Sequence, residues 1–151
     1  MPPACSGSSG GRSDPIISTS SVVPQDERSP MRVQGYAAVF GLVDRAGDVI
    51  RAGAFGNAGV VPLLWQHRGE PVGEICAIGE DARGLWIEAE VVAPEVVRLV
   101  RSGALRGLSV GYRPLVVVQG AYREIRRAAL AEVSLVAVPM QAAARVEAVI
   151  G

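Results

Sequence analysis

Short runs of branched and aliphatic residues, broken by turns that contain glycine, constrain the fold of this chain more than any other feature. From residue 31 onward the runs include MRVQGYAAVFG, VVPLLWQH, PVGEICAIGED and GLWIEAEVV. Such runs are typical of β-strands, because β-branched side chains pack well on a pleated surface and Gly or Asp allows tight turns. The stretch GEDARG between Ile78 and Leu85 predicts a hairpin turn. The sequence therefore predicts a mainly β domain.

One segment follows a helical pattern instead. In APEVVRLVRSGAL, Pro94 suits the first helical turn, Val and Leu recur near helical spacing, and Gly103 is placed to end the helix. We expect one helix over residues 94–102. The runs LRGLSVGYRPLVVV, REIRRAAL and AEVSLVAVP predict further strands. A long apolar sheet in so small a chain favours an α+β fold dominated by a small closed or nearly closed β-barrel, flanked by one or more short helices.

The beginning of the chain differs in composition from the rest. Residues 1–30 are rich in Ser, Gly and Pro and contain few aliphatic residues, so they cannot bury enough surface to offset the entropy lost on ordering. We expect a flexible tail over residues 1–30 and one folded domain over residues 31–151. No run approaches the roughly 20 apolar residues of a membrane span, and the N-terminus lacks the apolar core of a signal peptide. We expect neither membrane association nor export by that route.

Charge and potential ligands exclude several classes of function. The 15 basic and 15 acidic residues cancel, which leaves no overall attraction to nucleic acid. His67 is the one histidine and has no clustered Cys or carboxylate ligands nearby in the sequence, so we expect no metal and no cofactor. Asp44 and Asp48 in DRAGDV lack the further oxygen ligands of a calcium loop, and we interpret them as part of a solvated loop.

Three polar residues are candidates for chemistry. His67 ends the strand-like run PLLWQH, where an imidazole can be reached from solvent. Glu132 interrupts the apolar run LAEVSLVAVP, and strand alternation places Glu132 and Ser134 on one face. A carboxylate there must be solvated or paired. A surface histidine and an outward-facing glutamate are the plainer interpretations of these two residues.

The third candidate, Ser109, lies between glycines in LRGLSVGY. Alternation points Ser109 away from the more apolar face of its strand, and Gly107 and Gly111 leave the backbone open to a substrate chain. The same glycines could equally mark a bulge or a barrel corner. Cys76 is another possible nucleophile, with His67 as its base, although a buried and inert thiol is commoner within a strand.

Four stretches in order resemble a known family: GYAAVFGLVDRAGDVIRAGAF, PLLWQHRGEPVGEI with DARGLWIEAEV, LRGLSVGYRP, and LAEVSLVAVPM. Together they resemble the prohead maturation proteases of tailed phages, serine peptidases distantly similar to the herpesvirus assemblins. The resemblance covers about residues 33–140. It implies the small β-barrel flanked by helices of the herpesvirus proteases. After VPM this chain reads QAAARVEAV where relatives often show an asparagine and a proline, a departure that touches no catalytic position.

The resemblance also implies roles for individual residues. His67 matches the general base, Ser109 the nucleophile, and Glu132 the third member of the triad, where the assemblins use a second histidine. The general logic of serine hydrolases then applies. Candidates for stabilising the oxyanion are backbone N–H groups near Ser109 and Arg106, the arginine closest to it in sequence.

The implied activity is that of a serine endopeptidase of capsid maturation. Its expected partners are the major capsid protein precursor and the scaffold segment, inside the assembling procapsid of a phage or gene transfer agent in the cytoplasm of the host bacterium. Self-cleavage and self-association are left open. The alternatives are a catalytically inactive capsid-assembly or binding module with the same barrel, and a hydrolase of another specificity.

Overall fold

The computed structural model describes residues 30–150, so the predicted tail falls outside the described residues except for its last position. The described part contains eight strands and one helix: β1 (Met31–Val39), β2 (Asp48–Ile50), β3 (Pro62–Trp65), β4 (Arg68–Glu80), β5 (Gly84–Val91), α1 (Pro94–Ser102), β6 (Gly107–Gln119), β7 (Arg123–Val136) and β8 (Val146–Ile150). The expectation of a mainly β domain with a short helix over residues 94–102 is confirmed. No helix among these residues has the length and apolar character needed to cross a membrane.

The helix ends where its sequence pattern predicts. Gly103 adopts a positive φ of 89°, and its N–H donates to the carbonyl of Val100. This left-handed C-terminal geometry favours glycine, which has no Cβ to clash with the backbone. Val96, Val97 and Val100 form the buried side of the helix, which packs α1 into the same aliphatic core as the sheet.

The eight strands form a single sheet in which β7 pairs with three other strands. Strands β8, β1, β5, β4 and β3 are neighbours in that order and pair in antiparallel fashion. Strand β7 pairs in parallel with β2 near its beginning and with β3 near its end. It also pairs with β6 along nearly its whole length in an antiparallel ladder. Strand β7 therefore joins segments that are far apart in the chain.

The sheet does not close into a barrel. Among residues 30–150, β6 and β8 share no ladder: an isolated bridge joins Gly107 to Arg145, the residue before β8, and the N–H of Val146 donates to the carbonyl of Arg106. Strand β8 pairs with β1 instead. The far part of β6 pairs with β7 alone, and its residues from Leu115 to Val118 are exposed. The predicted closed or nearly closed barrel is not confirmed, because no ladder of backbone hydrogen bonds joins β6 to β8 in the described part of the chain.

Candidate active site

Strand β7 brings the predicted site residues towards one another. Ser134 in β7 pairs with Leu64 of β3 on one side and with Ser109 of β6 on the other. His67 follows β3 by two residues, so it lies near the same level of the sheet. Neighbouring strands are about 4.8 Å apart. The topology therefore places a histidine and a serine, 42 residues apart in sequence, on either side of one strand.

His67 occupies a strained position in the two-residue turn between β3 and β4. Gln66 and His67 both have positive φ, at 55° and 64°, and the flanking residues Trp65 and Arg68 pair across the hairpin. Hairpin turns with this geometry usually contain Asn or Gly, because a left-handed backbone costs other residues about 1–2 kcal/mol each. Surrounding contacts must therefore hold the turn.

Those contacts come from β7 and the residue after it. The N–H of Gln66 donates to the carbonyl of Leu135 over 3.0 Å, and its side-chain oxygen accepts from the N–H of Ala137 over 2.8 Å. The N–H of His67 donates to the hydroxyl of Ser134 over 3.0 Å. Three hydrogen bonds thus fix the orientation of a turn that local propensity would not favour.

His67 and Glu132 form a close pair. Nδ1 of His67 lies 2.6 Å from Oε2 of Glu132, and the Ser134 hydroxyl donates to Oε1 of Glu132 over 2.6 Å. The Glu132 side chain is 14% exposed and that of His67 42% exposed. An ionised carboxylate only accepts hydrogen bonds, so Nδ1 carries the ring hydrogen and Nε2 of a neutral imidazole is left as an acceptor. This arrangement presents a potential base to solvent.

Gly111 makes room for the Glu132 carboxylate. The two residues are directly paired between β6 and β7. A Cβ atom on residue 111 would overlap Oε2 of Glu132 and lie 2.9 Å from its Cδ. The sequence suggested that Gly111 gives a substrate chain access to the backbone, whereas in the structure the carboxylate that contacts His67 occupies that space.

Ser109 shares a cavity with His67. The cavity measures about 300 Å³, and both side chains lie in its wall. Ser109 is only 6% exposed. Within residues 30–150 no hydrogen bond joins the Ser109 hydroxyl to the imidazole, so the structure brings the two into one cavity without bonding them. Much of the remaining wall is apolar, and includes Ile50, Leu108, Val110 and Met140.

Asp48, which belongs to an ion pair, lines the same cavity. Asp48 binds Arg123 through two hydrogen bonds of 2.8 and 2.9 Å and accepts a longer one from the Tyr112 hydroxyl. The hydrogen bond from Arg123 lowers the pKa of Asp48. Burial, together with the charge of Asp48, raises the pKa of Tyr112 to about 12. The interpretation of Asp48 as part of a solvated loop is wrong, because β2 pairs with β7 and buries it beside Arg123.

Two other candidates lie outside this cavity wall. Arg106 lines a different cavity, with Arg45 and Arg145. Cys76 is buried within β4 and does not line the cavity that contains His67. Across residues 30–150 no group of three or more His, Cys, Asp or Glu side chains is arranged to hold a metal ion.

Ser134 is the residue that the sequence did not single out. It is fully buried, and its hydroxyl links the backbone of His67 to the carboxylate of Glu132. The available signal was alternation, which puts Ser134 on the face of Glu132. Its contact with His67 required the pairing of β3 with β7.

The fold is similar to that of a herpesvirus protease. The structure of KSHV protease in complex with a hexapeptide phosphonate inhibitor superposes with a TM-score of 0.56 and 12% sequence identity, over 82% of this chain and 66% of that one. At this identity the likeness establishes a shared fold.

Sequence comparison identifies the family. The model of the caudovirus prohead serine proteases matches residues 19–150. The prohead protease of Enterobacteria phage HK97 is 32% identical over 91 residues, which cover 52% of this chain and 40% of that protein. The prohead protease of Escherichia phage T5 is 28% identical over 134 residues, 79% of this chain and 63% of that protein. This chain thus spans less than two thirds of either relative, and it belongs to the caudovirus prohead serine protease family.

Proposed function

We propose that this chain is a serine endopeptidase in which Ser109 is the nucleophile, His67 the general base and Glu132 the group that orients the imidazole. The observation that carries the proposal is the 2.6 Å contact between Nδ1 of His67 and Glu132, together with the shared cavity of His67 and Ser109. With Nδ1 bonded to the carboxylate, Nε2 is the ring atom available to accept the serine proton.

The reaction follows from these roles. The Ser109 oxygen attacks the peptide carbonyl while its proton passes to Nε2 of His67, and Glu132 stabilises the imidazolium. Nε2 then gives the proton to the departing amine as the C–N bond breaks, which leaves an acyl-enzyme. Water attacks the acyl group with His67 again as base, and Ser109 recovers its proton. The hydrogen bond between Ser109 and His67 would form when substrate binds, since catalytic hydrogen bonds often tighten only in the bound state.

We infer the substrates from the family. Both compared relatives are named prohead proteases, and this supports a role in capsid maturation. We propose that the chain cleaves the precursor of the major capsid protein and its scaffold segment within an assembling procapsid in the host cytoplasm. The source of that procapsid is a phage or a gene transfer agent. Self-cleavage and self-association remain to be tested in the same system.

The decisive experiment is co-expression with the capsid precursor, followed by mass measurement of the products. We expect Ser109→Ala to fold, as judged by circular dichroism, and to give no cleavage products, because the hydroxyl that forms the acyl-enzyme is gone. Glu132→Gln should process slowly, because a misaligned base can retain partial function. The matched control is Ser102→Ala, which alters an exposed serine at the end of α1.

Two outcomes would contradict the proposal. Normal processing by a folded Ser109→Ala protein would remove Ser109 as nucleophile. Intact precursor with the wild-type chain, combined with normal particle assembly that depends on the chain, would instead favour the inactive assembly module with the same fold.

A further inference from the structure

A second cavity lies beside the one that contains Ser109. It has a volume of about 360 Å³ and is lined by three arginines, Arg45, Arg106 and Arg145; we call it the arginine cavity. Its other lining residues are small or apolar: Gly107, Ala137, Val138, Pro139 and Ala142. Among residues 30–150, no carboxylate lines this cavity, so these residues do not balance its three positive charges within its own wall.

Backbone contacts hold the three arginines in place. The N–H of Arg45 donates to the carbonyl of Met140 over 3.0 Å, and the carbonyl of Arg106 accepts from the N–H of Val146 over 2.9 Å. Arg145 forms the bridge to Gly107 that connects β8 to β6. The main chain thus brings three arginines from three separate segments to the wall of one cavity.

The guanidinium groups lack internal partners. In the described part of the chain, none of the salt bridges to carboxylates involves Arg45, Arg106 or Arg145. The Nε atom of Arg106 is buried and has no hydrogen-bond partner. A buried donor without an acceptor is destabilising, and neighbouring like charges repel one another. A bound anion would relieve both effects.

The arginine cavity adjoins the catalytic cavity along three segments. Gly107 lines the arginine cavity, whereas Ser109 lines the catalytic one; the two lie on the same face of β6 because they are two residues apart. Arg45 lies between Asp44 and Ala46, which line the catalytic cavity. Pro139 lines the arginine cavity, and the next residue, Met140, lines the catalytic one. An extended polypeptide bound at Ser109 can therefore reach the arginine cavity.

We propose that the arginine cavity binds an acidic side chain of the substrate polypeptide, close in sequence to the scissile bond. The inference rests on the proposed function, because it treats Ser109 as the site of cleavage. Arginine pairs well with carboxylates through its planar donors. The apolar wall formed by Val138, Pro139 and Ala142 suits the methylene stem of Glu or Asp.

A carboxylate suits this cavity better than a nucleic acid does. Nucleic-acid sites usually form an extended basic surface on a basic domain, whereas this chain has equal numbers of basic and acidic residues. The three arginines also line one cavity of about 360 Å³, whereas a nucleic-acid site usually spreads its basic residues over a longer surface.

The test uses Ser109→Ala protein, so that peptides bind without being cut. The probe is the hexapeptide acetyl-Ala-Ala-Glu-Glu-Ala-Ala-amide, and its control is the same peptide with Gln in place of both Glu residues. We expect calorimetry to give a dissociation constant at least about tenfold lower for the Glu peptide, the effect of one charge-assisted contact. Arginine Nε–H signals in nitrogen-15 spectra should shift at Arg106.

Second substitutions in the Ser109→Ala background locate the effect. Arg106→Gln and Arg145→Gln should each remove most of the preference for Glu. Arg98→Gln, which alters an exposed arginine on α1, should leave that preference unchanged. Arg145 is itself exposed, so Arg145→Gln should fold even where Arg106→Gln loses stability.

Three results would overturn the inference. These are equal binding of the Glu and Gln peptides, equal effects of Arg98→Gln and Arg145→Gln, and displacement of the Glu peptide by a DNA oligonucleotide or inorganic phosphate at lower concentrations than the peptide itself requires. Because peptide binding is measured without catalysis, a failure of this inference can be told apart from a failure of the proposed function. Precursor processing by the wild-type chain tests that function separately.

Discussion

Replacing Gly111 with alanine is expected to disable catalysis while leaving the fold in place. The new methyl group would overlap Oε2 of Glu132, the atom that contacts Nδ1 of His67. Oε1 is held by Ser134, so the carboxylate cannot simply rotate without losing a second bond. An ordinary carbon–oxygen contact requires Oε2 to move by about 1 Å. That displacement breaks the 2.6 Å contact with the imidazole.

Gly111→Ala is expected to lower kcat far more than it lowers the stability of the folded protein. A misplacement of about 1 Å in a catalytic group can cost about 100-fold in rate, so we expect kcat to fall by about that factor. Gly111 does not have positive φ, so alanine imposes no left-handed strain. Overpacking costs about 1–3 kcal/mol, and the lower entropy of the unfolded alanine chain offsets about 0.4–1 kcal/mol of that cost. The folded state should therefore persist.

The assay measures kcat on a peptide that spans a cleavage site identified by the co-expression experiment, with thermal unfolding monitored by circular dichroism. The matched control is Gly120→Ala in the turn between β6 and β7, where the nearest atom to an added Cβ is 3.7 Å away. Glu132→Gln provides a second route to the same loss without added volume. The reasoning is refuted if folded Gly111→Ala protein retains kcat within about threefold of Gly120→Ala, well short of the expected loss.

Three further predictions concern Ser134, which contacts Glu132 and the His67 turn, and two residues that bind Asp48. Ser134→Ala should lower kcat by about tenfold with little change in KM, because it removes one hydrogen bond to the Glu132 carboxylate and one from the N–H of His67. Ser134 is fully buried and contacts no substrate, so an altered KM with unchanged kcat would contradict this prediction. Arg123→Gln should lower the urea midpoint at about pH 7, and the difference from wild type should shrink as pH falls below about 3.9 and through the lowered pKa of Asp48, because a lowered carboxyl pKa gives stability that is present above the unfolded value and lost as pH falls through the folded one. Tyr112→Phe should lose less stability than wild type as pH rises from about 9 to about 12, because the pKa of Tyr112 is raised to about 12 in the folded protein. A raised tyrosine pKa gives stability that is present below the unfolded value of about 10 and lost as pH rises through the folded one. Identical urea midpoints of the two proteins across that range would exclude this effect.

The local elements could be predicted from the sequence. Helix α1 carries its own signals, from Pro94 at its beginning to Gly103 after its end. Strands β5 to β7 follow runs of branched residues with turns at Gly and Asp. These signals act over a few residues, so they do not depend on how the rest of the chain folds. His67, Ser109 and Glu132 could also be selected as candidates from the sequence, as three polar side chains in apolar surroundings and through the family resemblance.

Only the tertiary structure decided which of these elements meet. Strand periodicity assigns a residue to a face but does not identify its partner strand, so the pairing of β7 with β2 and β3 could not be predicted. That pairing joins Ser134 to the His67 turn, buries Asp48 against Arg123 and leaves the sheet open between β6 and β8. The physical reason is that these contacts connect residues about 70 positions apart, whose encounter depends on the path of the whole chain and the burial of its common core.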